Sequence, residues 1–263
     1  MRINTNVNSL NAQESANITN SKLKSSLEKL SSGLAINKAS DDASGLSIAD
    51  KLRTQASSLS QSISNGNSAS ALTQIADKAM AEQSNILDVV KQKLLQASTA
   101  TTSTEGRKAI AKDINKLLDQ VNNIATQTNY NGQTLLQASH DGKSSTSALT
   151  FQMGELAADV ITTTGAVMAN TSGLTLTTLK TDVSDGSMTQ TGAANQLATI
   201  DTALDTLNAW RSDFGSTQNQ IESSVRNMST AQTNIKAAES VIRDVDYAAE
   251  SANFNKQNII SQA

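Results

Sequence analysis

The chain has 263 residues, no cysteine, no proline and a formal net charge of −3. The missing cysteines exclude disulfides and thiolate metal sites, and the acidic balance argues against a nucleic-acid footprint. Apolar residues make up 37% and aromatics 2%, low for a compact enzyme, and no stretch approaches the ~20 apolar residues of a membrane span.

The proline count is informative. At ordinary usage a chain of this length holds about thirteen. Long uninterrupted helices account for none, because a proline inside a helix costs about 3 kcal/mol. The polar start, Met1-Arg2-Ile3-Asn4-Thr5-Asn6, lacks the apolar core of a secretory signal.

Residues 1 to 34 carry a heptad-like series of Ile3, Val7 and Leu10, then Leu23, Leu27, Leu30 and Leu34. Glu14 and Asn17 interrupt its middle. Such a helix is marginal in isolation, so it is expected to need other chains to pack against. Ser31-Ser32-Gly33 and the run from Lys38 to Gly45 form a break. There Asp41 and Asp42 suit the positive end of the next helix. Helical capping, rather than acid–base or metal chemistry, is the reading adopted for that pair.

From about Leu46 to Ser98 a second long helix is expected, with Ile48, Leu52, Leu59, Ile63, Leu72, Ile75, Ile86 and Val90 near one stripe. Gly66 is its weak spot, since glycine inside a helix costs about 1 kcal/mol. A Ser/Thr connection leads to a third helix opened by Glu105, with Ile110, Ile114, Leu117, Val121 and Ile124 at helical spacing. It ends at Asn129-Tyr130-Asn131-Gly132, a turn signal.

Residues 138 to 195 read differently. Glycines recur, and β-favouring runs appear at 149–153, 160–163 and 174–177, which suggests one or two small hairpins. A third long helix then spans Leu197 to Val245. Ile200, Leu207, Phe214, Ile221, Met228, Ile235 and Ile242 stand seven residues apart. That period makes a seam that winds left-handed around a partner, over about 70 Å. Leu197, Leu204 and Val225 add an intermediate position, while Arg211, Gln218, Gln232 and Glu239 leave the stripe partly wet. Trp210 and Phe214 read as a plug beneath the hairpins. The fold class is therefore mainly α: an elongated antiparallel coiled-coil helical bundle with a small β-hairpin region at its tip.

No catalytic, cofactor-binding or metal-ligating set emerges, and no cofactor is expected. His140 is the sole histidine and reads as a loop residue. Ser21-x-x-Lys24 and Ser26-x-x-Lys29 match a serine–lysine hydrolase spacing, but Ser-Asp-Asn and Lys-Thr-Gly are missing from the sequence, and both pairs sit on a heptad helix.

The two ends carry a resemblance. Ile3-Asn4-Thr5-Asn6 with Leu10-Asn11-Ala12, the run from Leu30 to Asn37, and Asp41-Asp42-Ala43-Ser44-Gly45-Leu46 resemble the amino-terminal signature of bacterial flagellins. Asn129 to Leu136 is similar to the motif closing that region, and Phe151-Gln152-Met153-Gly154 to the family's hairpin entry. Asp244 to Glu250 and Gln257 to Ala263 resemble the carboxy-terminal signature. The resemblance covers about residues 1–137 and 195–263; the middle is not diagnostic, and the outer domains of larger members are missing from it.

The resemblance implies a subunit of the flagellar filament, a helical homo-oligomer used for swimming. Five segments follow from it. Residues 1–44 are an amino-terminal inner-core helix and linker, and 45–137 the amino-terminal helices of the rod domain. Residues 138–195 are a small variable hairpin region and 196–242 the carboxy-terminal rod helix. Residues 243–263 are a carboxy-terminal inner-core helix, cut short, because the family's helix continues several turns further. The assembly residues are then Ile3, Val7, Leu10, Leu23, Leu27, Leu30, Leu34, Tyr247, Phe254, Ile259 and Ile260. The seven-spaced residues from Ile200 to Ile242 are the rod core.

The resemblance further implies a secreted, extracellular location, reached through the flagellar type III channel without a cleaved signal. Its partners are the export apparatus, a flagellin chaperone, and the filament cap and hook-junction proteins; neither nucleic acid nor membrane insertion is expected. Receptor-active members carry an Arg and a Glu where a host Toll-like receptor binds. Here Val89 stands at the Arg position and Gln92 or Lys93 at the Glu position. With Asp88 and Lys91 this altered stretch is similar to the campylobacterial version and implies weak receptor contact. The Ser/Thr-rich outer segment is either O-glycosylated, as in related members, or a plain solvated surface. Two other functions fit less well: a hook–filament junction protein, and a monomeric host-directed adhesin or signalling ligand. Removal of residues 138–195 is expected to leave assembly largely intact.

Overall fold

The computed structural model describes residues 6–137, 148–163, 165, 167–186 and 188–262. Ile3, His140 and Ser144 to Ser147 lie outside them. The chain is mainly α. Its helices are α1 (Val7–Ser32), α2 (Ala43–Ser98), α3 (Thr104–Gln127), α4 (Thr177–Ser184), α5 (Gln190–Arg243) and α6 (Tyr247–Gln262). Two antiparallel hairpins accompany them, β1 (Asn129–Tyr130) with β2 (Gln133–Thr134) and β3 (Thr150–Gln152) with β4 (Val160–Thr162). The chain divides into two compact units, Met1–Ser60 with Ser229–Ala263, and Gln61–Met228. Helices α2 and α5 contribute to both.

Caps set the helix ends. The Asn6 side chain accepts from the Ser9 amide, and Gly33, at φ 74°, closes α1 in the left-handed conformation. Asp42 accepts from the Ser44 and Gly45 amides at 3.0 Å each and starts α2. Ser103 accepts from Gly106 at the start of α3. Asp246 accepts from Ala248 and Ala249 and starts α6.

In the unit 61–228 the core is a layer of helix on helix. Along α2 the residues Ala69, Thr73, Ala76, Met80, Gln83, Leu87, Val90, Leu94 and Ala97 are all buried. They alternate four and three apart, which is one continuous seam of a helix. On α5 the buried residues Ala193, Gln196, Ile200, Ala203, Leu207, Phe214, Thr217, Ile221 and Met228 lie on one seam too, three, four or seven apart. Ile110, Ile114, Leu118 and Val121 of α3 complete the layer. Arg211 and Asp77 are ion-paired at 2.9 Å across α5 and α2. Lys180 and Asp119 are paired at 2.9 Å across α4 and α3.

The short elements pack onto this layer. Asn131 and Gly132 both have positive φ, 52° and 81°, the two-residue turn whose twist matches a hairpin. The β3–β4 hairpin pairs Phe151 with Ile161 and places its Met153 at Gly66, where a Cβ would stand 2.8 Å from the Met153 Cε. The stretch 174–177, expected as a strand, is a turn leading into α4. The Asn170 side chain accepts from the Gly173 amide, the Leu174 amide donates to the Asn170 carbonyl, and Thr175 takes φ 60°. Leu174, Leu176 and Leu179 are buried in the core all the same. Gln83 ties this crossing segment down. Its Nε2 donates to the Val121 and Ala169 carbonyls at 2.9 and 2.7 Å.

Candidate functional site: the terminal helices and their clip

In the other unit, α1 and α6 meet on one face each. On α1, Thr19, Leu23, Ser26 and Leu30 are buried or half-buried on one face, spaced four, three and four apart; Ser25, Glu28 and Lys29, near the break, are half-buried as well. On α6 the corresponding positions are Glu250, Ser251, Phe254, Gln257 and Asn258. Phe254 is the one large apolar side chain among them, and no residue of α6 is buried. This contact is thin: full burial of a large apolar side chain is worth about 1.5–3 kcal/mol, and here Leu23, Leu30 and Phe254 are only half-buried.

The remaining apolar residues turn outward. Val7 is 58% exposed and Leu10 55%. With Ile18, also exposed, they fall at 100° per residue on the side of α1 opposite Leu23 and Leu30. Ile259 and Ile260 are 68% and 49% exposed on α6, off its inner face. Leu27 and Tyr247 are exposed as well, and Leu34 is half-buried. The helix pair thus offers separate apolar surfaces on both partners. Large exposed apolar surfaces mark sites of protein association.

A backbone clip joins the two breaks. Leu34 and Asp244 form an antiparallel bridge. The Ala35 amide donates to the Arg243 carbonyl at 2.7 Å, and the Val245 amide to the Gly33 carbonyl at 3.0 Å. The Tyr247 hydroxyl adds a hydrogen bond to the Leu30 carbonyl at 2.8 Å. The loop beside the clip is shaped by carboxylates. One Asp41 oxygen accepts from the Lys38 and Asn37 amides at 3.0 and 3.1 Å. These two bonds, Lys38 first, hold its pKa below the ordinary carboxylate value. Lys38 reaches Glu28 at 2.7 Å, and that hydrogen bond, then the charge of Glu28, raise its pKa. Asp42 therefore caps the following helix, the role read for it from the sequence, whereas Asp41, read the same way, accepts from the amides that precede it and closes the loop instead.

Of the seven rod-core residues, Ile200, Leu207, Phe214, Ile221 and Met228 are buried in the unit 61–228. Ile235 and Ile242 are half-buried in the other unit. The altered receptor stretch lies on α2. Asp88, Val89 and Gln92 are exposed. Lys91 is drawn into an ion pair with Asp201, and Lys93 with Asp113 at 2.9 Å. Among the exposed residues that escaped the sequence reading are Ile18 and Val241. Ile18 was masked by the polar neighbours that interrupt its heptad, and Val241, 86% exposed near the end of α5, stands beside a seam residue with nothing to mark it as outward. Among the described residues no group of three or more His, Cys, Asp or Glu could hold a metal. No helix among them is long and apolar enough to cross a membrane.

Helical termini joined at matching breaks, with a core built between them, are matched by a known family at both ends. Residues 3–141 match the bacterial flagellin N-terminal helical region. Residues 197–263 match the bacterial flagellin C-terminal helical region. The chain belongs to the bacterial flagellin family. Flagellin A of Helicobacter pylori is 38% identical over 97% of the chain, which spans 48% of that relative's length. The chain spans 30% of flagellin A of Helicobacter felis, at 49% identity over 61% of its own length. It thus covers half or less of these two relatives. The flagellin of Bacillus subtilis is 34% identical, with all of this chain and 93% of that one matched. The crystal structure of Bacillus cereus flagellin aligns with TM-score 0.53 at 26% identity, over 67% of this chain and 94% of that one. A flagellar hook-associated protein of Vibrio parahaemolyticus shares the fold at TM-score 0.64 and 11% identity, over 77% of this chain and 99% of that one.

Proposed function

We propose that this flagellin is the structural subunit of an extracellular flagellar filament, polymerising through α1 and α6. The observation that carries this reading is the thin α1–α6 contact beside outward-facing Val7, Leu10, Ile18, Ile259 and Ile260. A partner that covered these five would gain roughly 5–8 kcal/mol before the cost of association. Because the surfaces on α1 and α6 differ, a contact of one chain's α1 with the next chain's α6 is head-to-tail, and such contacts build open helical polymers rather than closed dimers.

The same reading has the chain leave the cell through the flagellar export channel. It also brings it together with an export apparatus, a chaperone, and the cap and hook-junction proteins at the two ends of the filament. Contact with a host Toll-like receptor is weak in this reading, because α2 offers Val89 where an Arg would engage and Lys91 and Lys93 are held by Asp201 and Asp113. Full activation of receptor-reporter cells by the purified chain contradicts that part.

The assembly surface is tested by Val7→Asp combined with Ile259→Asp. Charged side chains at exposed positions barely disturb the folded chain but place unpaired charge in a buried contact. Sedimentation is expected to show the variant in the supernatant under conditions where the parent pellets as polymer, with an unchanged melting temperature. Pelleting equal to that of the parent overturns the assignment of these faces.

A further inference from the structure

The unit 61–228 contains a half-open cleft of about 590 Å³ between the β1–β2 turn, β3, and the flanks of α2 and α5. Its volume lies in the range of small-molecule sites. The lining has a definite chemistry. Among the described residues it includes no Lys, Arg, Asp or Glu. The described lining thus offers phosphates, carboxylates and cations no counter-charge. Amides and hydroxyls dominate the rim, and aromatic rings stand beside them. Tyr130 and Phe151 are half-buried, and Phe214 is buried against the core.

An amide side chain offers a donor and an acceptor together, which matches a sugar hydroxyl that is itself both. An aromatic face packs against the C–H face of a pyranose ring, and a tyrosine adds a polar handle at its edge. Tyr130, Asn131 and Gln133 line this cleft, and none of their side chains is hydrogen-bonded to another described residue. They are held there by a rigid element, since the Asn131–Gly132 turn fixes the hairpin register Tyr130↔Gln133.

We propose that this cleft binds one neutral saccharide unit, a hexose or N-acetylhexosamine, with Asn131 and Gln133 bonding its hydroxyls and Tyr130 and Phe151 against its ring. The proposal is independent of the filament reading, because every residue it uses lies in the unit 61–228. A single ring on an open cleft binds with a Kd on the order of 1–10 mM.

The test is an NMR titration of the isotope-labelled full chain, following the amides of Tyr130, Asn131, Gln133, Phe151 and Gln152. The probes are N-acetylglucosamine, as a free sugar, and methyl β-glucoside, as the end of a glycan chain. Glucuronate is the charged control. Saturable shifts confined to these amides are expected with one or both neutral sugars and not with glucuronate. Whichever neutral probe binds more tightly identifies the source, free sugar or chain end. Gln133→Ala, at an exposed position, and Tyr130→Phe, which keeps the ring packed against the core, are each expected to weaken binding at least about fivefold while the melting temperature holds. Absence of saturation at about 50 mM, an equal response to glucuronate, or variants that bind like the parent each overturn the proposal.

Discussion

Gly173 and Gly215 are opposite cases of one substitution. A Cβ on Gly173 would overlap the backbone carbonyl of Met168, and backbone cannot step aside as a flexible side-chain end can. Gly215 lies inside α5 with nothing within 4 Å of a built Cβ, so it carries only the entropic cost of glycine in a helix. Gly215→Ala is expected to stabilise the chain by about 0.5–1 kcal/mol. Gly173→Ala is expected to destabilise it by about 1–3 kcal/mol, the usual range for overpacking. Urea unfolding of the two variants checks both signs. A second residue-scale prediction concerns acid. The folded pKa of Asp41 is lowered by the Lys38 and Asn37 amides, so its contribution is complete above the unfolded carboxylate pKa, about 3.9. It disappears as pH falls through the lower folded value. Amide exchange at Asn37 and Lys38 is expected to accelerate in that window, and Asp41→Asn to abolish the pH dependence. The Lys38–Glu28 pair acts in the opposite direction: its raised lysine pKa gives a contribution that is lost only as pH rises through the folded value.

At the scale of elements, the large apolar residues were the legible part of the sequence and the small ones were not. The seven-residue run on α5 passes through the buried Ile200, Leu207, Phe214, Ile221 and Met228. The second line of that seam is Gln196, Ala203 and Thr217, which a hydrophobic pattern passes over in favour of the partly buried flanking Leu197 and Leu204. On α2 the stripe read through Ile75 was off its axis. Ile75 and Ile48 are exposed, while Ala69, Thr73, Ala76 and Gln83 are buried. Alanine at the seam lets helices approach closely but gives no signal by size. The hairpin at 150–162 and the Asn-Gly turn were readable because β-branched runs and turn residues act locally. The turn at 171–175 was not, since it depends on one Asn170 side chain capturing the Gly173 amide. The faces proposed for assembly were marked in the sequence by a heptad series. Which side of α1 faces α6 was not, because both sides carry leucine, valine or isoleucine.

For the whole molecule, residues 138–195 now read differently. The expectation that this stretch is dispensable meets the burial of Ala169, Leu174, Leu176, Leu179 and Val183 in the core of the unit 61–228. Removing it would strip apolar side chains worth about 1.5–3 kcal/mol each when large, so the folded unit would suffer before assembly could. The terminal helices show the reverse: α6 has no buried residue in a single chain, and in the proposed filament its stability comes from other copies. Electron microscopy of the purified chain seeded with short filament fragments tests that claim directly. The account predicts long helical filaments growing from the seeds, and none from the Val7→Asp, Ile259→Asp variant. A parent chain that stays soluble beside intact, extension-competent seeds would contradict it.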